Sequence, residues 1–239
     1  MKKFVIIKAG RTFDTLLESL GDFEEWVEAG LCLKGMTVQV IDAAGGEPLP
    51  TVEACGGVVV TGSHAMVTDD LSWSLGIEYW IRSLIEASVP FLGICYGHQL
   101  LGRAAGGTVG YHPLGREVGT VTIDLTAEAL CDRLFHGISP RFRAHATHAQ
   151  SVLRLAQGAV LLAGNGHEAH HAFRIGKCAW GVQFHPEYTI RIMKGYIEEQ
   201  RKSIEAERKD VEAMIAAVVD TPEAGKVLTN FANLVYRES

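Results

Sequence analysis

The sequence contains no apolar run of membrane-spanning length and no patch rich in lysine or arginine. A transmembrane helix needs about 20 apolar residues, whereas Lys8 ends the apolar run of the first segment, MKKFVIIKAG, after residues 4–7. That run is also too short for the core of a signal peptide. The net charge of -6 argues against nucleic acid as a partner. We therefore expect a cytoplasmic protein that binds neither membranes nor nucleic acid.

The cysteines do not form the pattern of a disulfide framework, and the usual metal motifs are missing. The five cysteines are irregularly spaced and include no Cys-x-x-Cys pair, which indicates reduced thiols. Ten histidines are many for 239 residues, and His145 with His148, or the group His167, His170 and His171, could in principle bind zinc. The second group lies in a Gly/Asn-rich turn, where exposed histidines are tolerated, and not on a helix of the His-Glu-x-x-His type. We expect no metal and no cofactor.

Motifs for ATP chemistry are absent as well. The sequence has no Ser-Gly-Gly-x-Asp-Ser pyrophosphate loop and no Walker-type Gly-x-x-x-x-Gly-Lys-Ser/Thr loop. The chain is therefore not expected to activate an acceptor with ATP. Its composition, 47% hydrophobic and 21% charged, is typical of a globular protein. A length of 239 residues favours a single domain over 1–239.

Apolar strands alternate with amphipathic helices in the first half of the chain, which predicts a parallel sheet with right-handed crossovers. Continuous apolar runs predict buried strands at 4–7, 36–41 and 57–60. Helical periodicity predicts helices over 13–31, broken at Gly21, and over 71–88.

The segment 106–163 changes character and predicts strands joined by turns, at 118–125 and within 152–163. Further strands are expected at 173–175 and 180–184, and the segment 189–239 is expected to be helical and to pack on the sheet. The predicted fold class is α/β: three layers, a mostly parallel open sheet with helices on both faces, and a small antiparallel or mixed extension.

The segment 89–102, VPFLGICYGHQLLG, is the most informative part of the chain. It predicts a short strand that breaks at Cys95 and continues directly into a helix. Gly93 and Gly97 flank the cysteine, as a tight elbow without room for β-carbons requires. The positive end of the helix favours a thiolate, which is the nucleophilic form. An inert buried cysteine is the alternative interpretation.

A general base for Cys95 is available in AWGVQFHPEY, residues 179–188. His185 and Glu187 follow a predicted buried strand, and side chains two residues apart on a strand project to the same side. One could accept a proton while the other orients the imidazole. The alternative for His185 is a core histidine bonded to a backbone carbonyl. The order Cys95, His185, Glu187 supplies a Cys-His-Glu triad.

These motifs resemble those of the class I (triad-type) glutamine amidotransferases. GICYGHQ matches their G-x-C-x-G-x-Q nucleophile signature and FHPE their histidine-glutamate signature. The chain is similar to the stand-alone members that resemble the amidotransferase domain of GMP synthase. VVVTGSHAMV at 58–67 resembles their oxyanion loop, and LGREVGTV at 114–121 resembles their G-x-E-x-G segment.

The resemblance implies that Cys95, His185 and Glu187 hydrolyse the amide of glutamine or another γ-glutamyl compound. It also implies site roles for four further residues. By position, the backbone amides of Gly62 and Tyr96 would hold the oxyanion, while Gln99 and His148 would bind the substrate. For Gln99 the alternative is that its side chain caps nearby backbone.

The sequence departs from the family pattern in two places. The oxyanion loop reads Gly62-Ser63-His64 where G-G-P or G-S-P is common, and His148-Ala149-Gln150 stands where members often have H-x-D. The second change removes a carboxylate that could meet a substrate ammonium or a synthetase surface. Three functions stay open: a free-standing γ-glutamyl hydrolase or peptidase, an amidotransferase that feeds ammonia to a separate synthetase subunit, and a non-catalytic binding module.

Overall fold

A computed structural model describes residues 2–33 and 37–238. Within these ranges the strands are β1 (Lys3–Lys8), β2 (Val38–Asp42), β3 (Cys55–Val60), β4 (Phe91–Ile94), β5 (Thr108–Tyr111), β6 (Glu117–Leu125), β7 (Arg141–His148), β8 (Gln150–Arg154), β9 (Val160–Gly164), β10 (Ala172–Ile175) and β11 (Ala179–Val182). The α-helices are α1 (Asp14–Leu20), α2 (Phe23–Leu31), α3 (Ser72–Glu86), α4 (Tyr96–Ala104), α5 (Ile190–Glu199), α6 (Arg201–Ala206), α7 (Val211–Ala216) and α8 (Pro222–Glu238).

The central sheet has nine strands in the order β2-β1-β3-β4-β11-β10-β9-β6-β7. The first five are parallel to one another, and the remaining four extend the sheet by antiparallel pairing. β5 and β8 form a separate antiparallel pair. The predicted α/β class, with a mostly parallel sheet and an antiparallel extension, is confirmed.

Helices cover both faces of the parallel strands, because alternate strand residues point to opposite sides. Val58 and Val60 of β3 pack in one core with the apolar faces of α3 and α4. Val59 packs in a second core with α2 and α8. The apolar stripe of α8 is buried there: Val227, Leu228, Phe231, Leu234 and Val235.

The predicted helix break at Gly21 is confirmed. Its φ of 84° is left-handed, a conformation that favours glycine. The next helix starts at once because Asp22 caps it: the Asp22 carboxylate accepts from the Phe23 N–H, and the Glu25 carboxylate accepts from the Asp22 N–H. The chain thereby turns sharply between α1 and α2.

The structure differs from the predicted strands at several points. The predicted strand 36–41 is observed from Val38, and Met36 lies outside the described residues. β5 and β7 were not predicted. The strand predicted at 180–184 ends at Val182, because the backbone then turns to other partners: the Gln183 N–H donates to His171 O at 2.7 Å, and the His185 N–H to His145 O at 2.8 Å. None of the helices in the described ranges is long and apolar enough to cross a membrane.

Candidate active site

Cys95 lies at a strained elbow between β4 and α4. Its φ of 50° and ψ of -94° are unfavourable for a residue with a β-carbon. The Cys95 N–H donates to Val182 O at 2.8 Å and so fixes the elbow to β11. A β-carbon at Gly93 would collide with the Gly97 carbonyl, and one at Gly97 would lie 2.5 Å from Val60 O. The tight turn between strand and helix therefore requires both glycines.

His185 and Glu187 form a buried pair beyond the end of β11. His185 Nδ1 donates to Glu187 Oε1 at 2.7 Å, and both side chains are almost fully buried. Strand alternation was the wrong reason for expecting this contact, since both residues lie in the turn that follows the strand. Tyr188 stacks on the imidazole with a centroid distance of 4.0 Å. The ring of His185 is therefore held at one edge and on one face.

The protonation of His185 depends on the charges of Glu187 and Cys95. Burial alone lowers the pKa of His185, but the negative charges of Glu187 and Cys95 outweigh it and raise that pKa to about 10. Among the described residues, Nε2 of His185 has no partner with full hydrogen-bond geometry. The Cys95 sulfur lies 3.8 Å from Thr147 O. A protonated imidazole next to the sulfur is the arrangement that activates a thiolate.

A cavity of about 250 Å³ contains these groups. Of the predicted site residues, Cys95, Tyr96, Gln99, His148 and His185 line it together. The first backbone N–H groups of α4, including that of Tyr96, have no acceptor within their helix and point to its N-terminal end. The cavity thus contains the Cys95 sulfur, the His185 imidazole and the N-terminal residue of α4.

Two predicted residues lie just behind the cavity wall. Glu187 contacts the far side of the imidazole. Gly62 is buried against the same ring, since a β-carbon there would lie 3.2 Å from His185 Cε1. The neighbouring Ser63 and His64, and not Gly62, reach the cavity surface. The loop that contains Gly62 therefore lies beside the histidine.

Gln99 and His148 meet at one backbone oxygen. Nε2 of Gln99 donates to Gln150 O at 2.8 Å and to Gln183 Oε1 at 3.1 Å. Nδ1 of His148 donates to the same Gln150 O at 3.1 Å. The Gln99 amide nitrogen and the His148 ring are thus bonded within the protein, which for Gln99 agrees with the alternative of a backbone cap. Both side chains hold the start of β8 against the cavity.

Sequence reasoning missed the buried carboxylate that supports this wall. Glu117 Oε2 lies 3.1 Å from Nε2 of both His148 and His171, and Oε1 accepts from Asn165 Nδ2 at 2.9 Å. Burial alone raises the pKa of Glu117, but the hydrogen bonds from the two histidines dominate and hold it far below its usual range. The only sequence signal was that Glu117 lies in the LGREVGTV segment.

The turn predicted around His167–His171 is present, but its histidines are not all exposed. His171 is fully buried beside Glu117, because the turn folds inward onto β6. No group of three His, Cys, Asp or Glu residues suited to a metal ion occurs in the described part of the chain. Hydrogen bonds and close polar contacts of Glu117 hold this cluster together.

We expect Glu117→Gln to lower the free energy of unfolding by about 3 kcal/mol at pH 7, because it removes a buried carboxylate that accepts hydrogen bonds from His148 and Asn165. Because folding lowers the pKa of Glu117, its carboxylate stabilises the fold at pH values above the unfolded pKa near 4.5. This stabilisation is lost as the pH falls. The difference between the variant and the wild type should therefore shrink in acid. Urea unfolding at several pH values measures it. Glu86→Gln at the exposed end of α3 is the control, and equal effects of both changes would contradict the prediction.

Comparison with known proteins identifies a family for the chain. The sequence model of the class I glutamine amidotransferases matches residues 16–202. The glutamine-hydrolysing GMP synthase of Aeropyrum pernix is 32% identical over 160 residues, which cover 67% of this chain and 29% of that protein. A glutamine-hydrolysing GMP synthase subunit of Sulfurisphaera tokodaii is 32% identical, with 59% of this chain and 74% of that protein covered. γ-Glutamyl peptidase 4 of Arabidopsis thaliana is 31% identical, with 59% and 57% covered.

The fold has close counterparts among crystal structures. A glutamine amidotransferase from Thermotoga maritima superposes with a TM-score of 0.75 at 21% identity, covering 98% of this chain and 97% of that one. One from Methylobacillus flagellatus gives 0.69 at 24% identity, covering 100% and 94%. The chain spans less than a third of the A. pernix protein and just over half of the peptidase. It belongs to the class I glutamine amidotransferase family.

Proposed function

We propose that this protein hydrolyses a γ-glutamyl amide, with glutamine as the leading substrate, through a thioester on Cys95. The observation that carries the proposal is the buried His185–Glu187 pair beside the Cys95 sulfur, where the negative charges of Glu187 and Cys95 raise the pKa of the imidazole. The strain at Cys95 supports a functional role, since strained residues persist where surrounding structure enforces them. A non-catalytic module would not need this arrangement.

In the first half of the reaction, the Cys95 thiolate attacks the γ-carbonyl carbon and a carbon–sulfur bond forms. The carbonyl electron pair moves to oxygen, where the N–H of Tyr96 would stabilise it, a contribution of roughly 3 kcal/mol per donor in other enzymes. When the pair returns, the carbon–nitrogen bond breaks. His185 gives its Nε2 proton to the leaving nitrogen, so ammonia departs neutral.

In the second half, water attacks the thioester carbon while the neutral His185 takes one of its protons. The carbon–sulfur bond breaks, and Cys95 regains its thiolate as His185 regains its charge. The released acid loses its proton to the ammonia. The net change is amide plus water giving carboxylate plus ammonium. Glu187 keeps Nδ1 protonated throughout, so that Nε2 alone exchanges the proton.

The dimensions of the site favour a small substrate. Ligand pockets are usually about 300–1,000 Å³, and this cavity of about 250 Å³ lies below that range. An amino-acid amide fits such a volume better than a peptide. The relatives carry both kinds of name, glutamine-hydrolysing GMP synthase and γ-glutamyl peptidase. The proposed use of the ammonia is transfer to a separate synthetase subunit, since the sequence has no ATP-binding motif of its own.

The test is a substrate panel with the purified chain. We expect ammonia and glutamate in equal amounts from L-glutamine, and an acid-quenched γ-glutamyl thioester that peptide mass spectrometry locates on Cys95. Faster cleavage of γ-glutamyl dipeptides than of glutamine would replace the amidotransferase assignment by the peptidase one. Absence of a covalent intermediate with every amide would leave the non-catalytic module.

A further inference from the structure

The wall of the cavity around Gln99 contains cationic and neutral groups but no carboxylate. Among the described residues that line the cavity, none is aspartate or glutamate. The same lining includes His148, Gln150 and Arg116. The charge that a substrate meets at this wall depends on these three side chains and on the carboxylates near them.

Both ring nitrogens of His148 are occupied by contacts within the protein. Nδ1 lies 3.1 Å from the Gln150 carbonyl oxygen, which can only accept. Nε2 lies 3.1 Å from Oε2 of Glu117. Glu117 lies behind the ring and does not reach the cavity surface. His148 therefore presents no carboxylate to the cavity.

Arg116 provides the cation of this wall. Its Nη1 donates to Gln200 Oε1 at 2.9 Å and to Ser203 Oγ at 2.8 Å, which fix the guanidinium at the cavity. The carboxylate that accompanies it, Glu207, lies 3.4 Å from Nε and is not part of the lining. The carboxylates next to His148 and Arg116 thus do not reach the cavity surface.

Gln150, the third of these lining side chains, is a neutral amide that is fixed in place. Its Nε2 donates to Thr68 Oγ1 at 2.6 Å, and its Oε1 accepts from the Thr68 N–H at 3.4 Å. L-Glutamine has both a carboxylate and an ammonium on its α-carbon. The carboxylate matches the Arg116 guanidinium, whereas the ammonium meets no carboxylate in the lining, and a buried charge without a partner gains little over its hydration.

We propose that this site recognises the γ-amide of a five-carbon acid through the carboxylate at the other end, and does not select for an α-ammonium group. Amides such as glutaramate, which is glutamine without the α-amino group, are therefore substrates comparable to glutamine. The inference rests on the proposed amide hydrolysis and adds to it the class of acid that the site accepts.

The test compares ammonia release from L-glutamine and from glutaramate by the wild-type chain. We expect values of kcat/KM that differ by no more than tenfold. A larger preference for L-glutamine would overturn the inference and leave the amide hydrolysis intact. Failure to hydrolyse either compound would overturn the proposed function, and the inference with it.

A variant then tests the role of position 150 directly. Gln150→Glu keeps the length of the side chain and adds the missing charge, so the ratio of kcat/KM for glutamine over glutaramate should rise about tenfold, the effect of one charged hydrogen bond. Thr68→Val breaks the same contact without adding charge and should leave the ratio unchanged. Equal ratios in Gln150→Glu and wild type, with both proteins showing the same thermal unfolding, would contradict the inference.

Discussion

Cys95→Ala should lower the rate of amide hydrolysis by at least about 10⁴-fold, the scale on which loss of a nucleophile acts in other enzymes. Every step of the proposed reaction passes through the carbon–sulfur bond, so the remaining groups can only polarise the amide. Alanine keeps the β-carbon, and the backbone strain at φ 50° is therefore unchanged. We expect the free energy of unfolding to change by no more than about 1 kcal/mol, because a small side chain is truncated next to an open cavity.

The experiment measures ammonia release and urea unfolding on the same preparations. Cys55→Ala is the matched control, since Cys55 is fully buried in β3, away from the cavity, and burial raises its pKa to about 11. That variant should keep its activity. Hydrolysis by Cys95→Ala at more than a hundredth of the wild-type rate would show that another group attacks the amide.

The elbow at Cys95 was predictable because the residues that form it are adjacent in the sequence. The order of strand, Cys95 and helix, with a glycine on each side, determines where the sulfur can lie. His185 and Glu187 were predictable for a related reason, since two residues separated by Pro186 stay close in almost any backbone conformation. Only the element that holds them differed: they meet in a turn and not on a strand.

β7 was missed although its pattern was present. Residues 141–148 read RFRAHATH, and polar residues alternate with small apolar ones as on a half-buried strand. Alanine and histidine have weak strand preference, so the composition of this segment concealed its alternation of polar and apolar residues. The omission mattered, because β7 supplies both the Thr147 carbonyl beside Cys95 and the backbone partner of His185.

The polar wall could not have been derived from the sequence. Glu117, His148 and His171 come from different segments, and only the pairing of β6 with β7 and the inward fold of the turn bring them together. Contacts between distant segments leave no periodic signal in a single sequence. The sequence could therefore assign His148 a place in the site but not its hydrogen-bond partners, Glu117 and the Gln150 carbonyl.

Glu187→Gln should lower kcat/KM by roughly 10³–10⁴-fold, the loss seen when the orienting acid of a triad becomes an amide. The wild-type Glu187 charge is a main cause of the raised pKa of His185. The variant imidazole should therefore lose its proton at lower pH. Since the leaving nitrogen takes that proton, activity falls as pH rises through the pKa, near 10 in the wild type. The alkaline limb of the pH profile should move to lower pH in the variant.

The same linkage predicts the pH dependence of stability. A pKa raised from 6.5 to about 10 gives stabilisation that is complete below 6.5 and is lost as the pH rises toward 10. Urea unfolding between pH 6 and 10 should show this loss in the wild type, and a smaller one in Glu187→Gln. The exposed change Glu86→Gln serves again as the control. If the alkaline limb and the stability curve both keep their positions in Glu187→Gln, the carboxylate does not set the charge of His185. The roles assigned to the nucleophile, the imidazole and the acid would then be wrong.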